Sequence, residues 1–159
     1  MKQTEETSTG LLLHSRDFLL AAELVLNRAT GVSLPAYFLL GRSVELSLKA
    51  FLLKSGMTPK QLKVPPFGHN LTSLLSKANK NGLYTYVKFD PIEVGTIELL
   101  SFDYMNKRLE YRITGGTYYL PRIEVTEEVT RRLVSGLEQF CNAKEQDSTG
   151  LQSRKDALG

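Results

Sequence analysis

Cysteine is nearly absent from this chain of 159 residues: Cys141 stands alone, so no disulfide can form within it. A single cysteine near a predicted helix end reads as a small apolar packing residue rather than a nucleophile. Histidine is almost as scarce. His14, His69 and Cys141 make no ligand set of the usual zinc spacing. No run approaches the roughly 20 uninterrupted apolar residues of a membrane span. The most apolar stretch, residues 34–53, is broken by Arg42, Glu45 and Lys49. The opening residues are polar and acidic, without the basic start and apolar centre of a secretion signal. A phosphate-binding Gly-x-x-x-x-Gly-Lys loop, a Gly-x-Ser-x-Gly nucleophile elbow and an internal repeat are all lacking. These absences point to a cytoplasmic protein with no cofactor, no metal and no membrane attachment.

What is present suits one helical domain. Hydrophobic residues make up 42% and charged residues 23%, both near globular averages. The net charge of +3 permits nucleic-acid binding without arguing for it. Five helices can be read, giving an all-α, up-and-down bundle. The first spans 5–28, with Leu12, Leu13, Leu19, Leu20, Leu24 and Leu26 at helical spacing and Gly31 as its stop. The second follows the Ser33 cap and Pro35, ends at Gly56, and is apolar enough to sit at the centre of the core. A proline-bearing loop, 58–68, leads to a third helix capped by Asn70 and ended near Gly82. The fourth opens at Asp90-Pro91 and runs to about Arg108. The last opens at Thr126, with Glu127 and Glu128 in its first turn. Before it, two β-prone runs flank Gly115-Gly116, which signals a small hairpin; an irregular loop is the alternative. The domain is read as 1–144, followed by a disordered polar tail, 145–159.

Three stretches in order carry a family resemblance. The second helix holds Gly41-Arg42-Ser43-Val44-Glu45-Leu46-Ser47-Leu48-Lys49-Ala50. The third opens with Gly68-His69-Asn70-Leu71. Then comes Tyr104-Met105-Asn106-Lys107-Arg108-Leu109-Glu110-Tyr111-Arg112. Across residues 10–142 the pattern resembles the HEPN superfamily of small prokaryotic helical domains. The resemblance implies a helical bundle that forms homodimers. It implies a role as an RNase, as a non-catalytic RNA-binding unit, or as the partner of a minimal nucleotidyltransferase in toxin–antitoxin or phage-defence systems. Nuclease members carry an Arg followed four to six residues later by His. Here neither Arg108 nor Arg112 is followed by one. The resemblance therefore implies a non-catalytic module contacting RNA, a nucleotide or a partner enzyme. An RNase with a non-standard site (Arg108, Arg112, His69, Tyr111) and a purely structural interaction subunit are the alternatives.

Read for their own chemistry, Lys107, Arg108 and Arg112 interleave with Tyr104, Tyr111, Tyr118 and Tyr119. Arginine forks hold phosphate, and tyrosine faces stack on bases. The competing reading is a solvated helix end whose cations complement the helix dipole. Glu45 and Lys49 form an i,i+4 pair read as structural. His69, beside the Asn70 cap, is read either as a turn residue or as part of the RNA or nucleotide contact, with a general base as the sharper option. His14 is read as a boundary residue on the first helix.

Overall fold

Five polar residues set where helices begin. Thr7, Ser33, Thr58, Asn70 and Asp90 hold extended backbone and each accept the N–H three residues on, at 2.8–3.3 Å. A helix follows each one: α1 (Ser8–Arg28), α2 (Leu34–Lys54), α3 (Pro59–Lys63), α4 (Leu71–Lys80) and α5 (Pro91–Met105). The last helix, α6 (Ile123–Asn142), starts after Arg122 without a side-chain cap. The computed structural model describes residues 6–111 and 116–143.

Helix α2 is the axle of the bundle. It packs on α1, α4, α5 and α6, and Leu40, Leu48, Phe51 and Leu52 are among its fully enclosed side chains. Its pairing with α1 is antiparallel: Ser8 Oγ donates to the Ala50 carbonyl, while Ser15 Oγ donates to that of Ser43. Three buried hydroxyls, those of Ser15, Ser43 and Ser47, meet at the α1–α2 contact. Helix α6 runs antiparallel to α1, tied by Arg16–Glu138 and Arg131–Glu23. Phe51, Phe140 and Tyr86 close one end of the core, with ring centroids 4.6–6.1 Å apart. Cys141 is enclosed there as well, and burial pushes its thiol pKa up, which suits packing rather than nucleophilic chemistry.

The all-helical expectation holds among the described residues, with six α-helices where five are read from sequence. The additional one, α3, lies inside the proline-bearing stretch. Thr58 and Gln61 form a reciprocal capping box there, and Pro59 occupies the first turn. Helix α5 stops at Met105, before Arg108, and α6 begins three residues ahead of Thr126. The hairpin is a correction. No strand occurs among the described residues. The groups a ladder would pair are taken by side chains instead: Tyr119 N–H donates to the Asp103 carboxylate at 2.6 Å, and the Thr117 carbonyl accepts from Arg108 at 2.6 Å. Gly115 lies outside the described residues, as do Arg112 and the segment 145–159. No helix among the described residues is long and apolar enough to cross a membrane.

Candidate functional site

Burying a carboxylate costs several kcal/mol unless donors surround it. Glu45, in the middle of α2, is fully enclosed, and four side chains converge on it. Oε2 takes Arg42 Nη1 at 2.8 Å and Lys49 Nζ at 3.3 Å. Oε1 takes the Tyr104 hydroxyl at 3.0 Å and His69 Nδ1 at 2.5 Å. Arg42 and Lys49 arrive from the same helix by i,i+3 and i,i+4 spacing. Tyr104 reaches across from α5. His69 comes from the turn before α4, which depends on Gly68 at φ 55 and on Asn70 capping α4.

One small residue makes the Tyr104 contact possible. A Cβ on Gly41 would lie 2.5 Å from Tyr104 Cδ2, so glycine at this position lets the phenol ring lie against α2. Tyr104 is only 3% exposed, and its ring packs edge to face against His69, centroids 6.3 Å apart. Burial first, and the Glu45 carboxylate second, push the Tyr104 hydroxyl pKa far above its ordinary value. Tyr104 therefore stays a proton donor to Glu45, and its face is not presented for stacking.

His69 is half exposed. With Nδ1 against a carboxylate, the hydrogen-bond network assigns the proton to Nδ1 and leaves Nε2 as the second working atom. Two clefts meet at Arg42 and His69. One, of about 180 Å³, lies between α2 and α3, with Lys49 and Lys63 on its rim and Leu46, Leu53 and Leu62 in its wall. The other, of about 310 Å³, is lined by Phe38, Tyr104, Lys107 and Glu110. Among the described residues no three His, Cys, Asp or Glu side chains gather as a metal site.

The sequence-named residues separate into two groups. His69, Glu45, Lys49 and Tyr104 come together, and Lys107 joins them through the larger cleft. Arg108 turns away. Its Nη1 lies 3.0 Å from the fully enclosed Asp103, its Nη2 donates to Thr117, and its guanidinium sits 5.2 Å from the Tyr118 ring centroid. Asp103 Oδ1 is charge-paired there but off the line of any N–H, while Oδ2 accepts from Tyr119. Tyr111 is exposed, Tyr119 packs on Phe102, and His14 is exposed on α1. Arg42 is the site residue the sequence reading passes over. Its position three residues before Glu45 is the signal that would have found it.

Comparison with protein-family models, with curated proteins and with solved structures gave no match.

Proposed function

We propose that the chain is a HEPN-like helical module that binds single-stranded RNA, or the phosphate of a nucleotide, on the face around His69. The carrying observation is the enclosed Glu45 carboxylate, which gathers Lys49 with Arg42 and His69, the two residues that the two clefts share. Cations held in place by a buried acid lose little side-chain entropy on meeting a phosphate. Exposed Tyr111 supplies a ring for stacking. In this reading Arg108 is architectural, pairing with Asp103 and holding the Thr117 carbonyl.

Assembly belongs to the same proposal. The outer face of α5 presents Ile92, Leu99, Phe102 and Met105 to solvent, although its inner face is already buried. A helix apolar on both faces is ordinarily covered. Gly95, at mid-stripe, leaves open space for close approach. A second copy of the chain is the occupant the resemblance favours, with a nucleotidyltransferase-type protein as the further partner.

The test is a titration of labelled single-stranded RNA at two salt concentrations, with His69→Ala and Arg42→Ala beside the native chain. Binding should weaken with salt and fall in both folded variants. The log–log salt slope should drop by about 0.7 for a lost phosphate contact to a single strand. Equal binding by all three proteins would sink the reading. A second reading, RNA cleavage, is favoured by one observation: a carboxylate behind Nδ1 orients an imidazole for proton transfer at Nε2. Running the endpoints on a gel separates the two, since only the second yields products lost in His69→Ala.

A further inference from the structure

The turn that ends α5 breaks a local rule. Lys107 N–H bonds to the Tyr104 carbonyl at 3.1 Å and Arg108 N–H to that of Asp103 at 2.9 Å. This paired reversal needs a left-handed residue just past the cap, a position glycine usually fills. Lys107 fills it here at φ 58, the one described non-glycine residue with positive φ. A side chain there crowds the backbone in a way glycine does not. Elsewhere in the last turn a lysine would complement the helix dipole equally well, so the dipole does not account for this placement. Nor does pairing: among the described residues the Lys107 ammonium makes no ion pair or hydrogen bond. What it does is line the larger cleft together with Arg42 and His69, with Glu110 the one acid among the described lining residues.

We propose that this cleft is the phosphate subsite of the binding face, and that Lys107, unpaired among the described residues, is its cation, kept in a conformation that favours glycine because glycine carries no charge. The inference rests on the RNA- or nucleotide-binding role proposed above. Its ligand is a phosphate group, whether the diester of a strand or the monoester of a free nucleotide. Phosphate oxygens meet Lys107 as a point charge and Arg42 as a fork. Arg42 reaches the cleft with Glu45 already bound on its inner side.

The experiment reads stability and affinity in the same variants. Lys107→Gly should raise the melting temperature by about 2–4 °C while weakening phosphate binding about tenfold at low salt. Lys107→Asn, which tolerates the left-handed region without the charge, should weaken binding by a similar factor. Lys107→Arg should restore most of it. A short single-stranded RNA and adenosine monophosphate are the probes. Equal affinity per phosphate identifies a free nucleotide as sufficient, and binding of the strand alone identifies the diester; either supports the subsite. Native-level binding of both probes by Lys107→Gly and Lys107→Asn overturns it and leaves the RNA-binding role standing. A native chain that binds neither probe overturns both.

Discussion

Glu45 and Asp103 are carboxylates with no exposed surface, carried on helices that touch each other. Their partners differ. Around Glu45 stand four side chains, and three of them, His69, Arg42 and to a lesser extent Lys49, reach solvent. Around Asp103 stand the Tyr119 backbone N–H and an arginine turned inward. An enclosed charge satisfied by solvent-reaching side chains orients chemical groups at the surface. One satisfied by backbone fixes the path of the chain, here the approach of residues 116–122 to α6. Burial alone thus does not separate an acid that orders surface groups from an architectural one; the identity of the donors does.

Substitution at Glu45 should have the largest effect. Glu45→Ala leaves Arg42, Lys49 and Tyr104 without their acceptor and should cost about 3 kcal/mol, the low end for a broken buried pair because Arg42 and His69 can turn to water. On the proposed function, RNA binding should fall with it, read by titration below the denaturation midpoint. Asp103→Ala should cost about 2 kcal/mol, from an unpaired Tyr119 N–H and a stranded Arg108, yet leave RNA affinity within a few-fold. If both variants abolish binding equally at matched foldedness, the distinction between the two acids fails. Gly41→Ala sharpens the same point without touching a charge. Its Cβ drives against Tyr104, and a cost of about 1 kcal/mol in urea denaturation is expected, in the lower range for overpacking. The smallest effect concerns alkali. A free tyrosine titrates near pH 10, and the folded-state pKa of Tyr104 lies above that. The unfolded chain therefore releases this proton first as pH rises. Tyr104 contributes stability that is intact below pH 10 and lost above it. Tyr104→Phe should show a shallower loss of stability between pH 9 and 11 than the native chain. Parallel curves would place the Tyr104 hydroxyl outside the Glu45 network.

Much of the architecture was legible in local chemistry. Ser33, Asn70 and Asp90 cap the helices they were expected to cap, because an acceptor two or three residues ahead of an apolar periodic run has few other uses. α3 was hidden by the prolines in and after it, at 59, 65 and 66, although its capping box is written in Thr58 and Gln61. The site was legible only in parts. Glu45, Lys49, His69 and Tyr104 each drew notice, but α2, the α4 turn and α5 bring them together through tertiary packing, which no spacing encodes. Arg108 illustrates the reverse. Five residues along a helix it would lie well round the axis from Asp103. The chain reversal at Lys107 folds it back onto Asp103 instead, and that reversal has no glycine to announce it.

The three serines between α1 and α2 fix how the two helices slide against each other. Moving α1 by one turn along α2 would leave the hydroxyls of Ser15, Ser43 and Ser47 enclosed without partners, at about 1–3 kcal/mol each, whereas leucine against leucine would tolerate such a slip. The serines act as an index mark on a sliding scale. They allow the two helices one axial setting, the one in which Ser8 meets the Ala50 carbonyl and Ser15 that of Ser43.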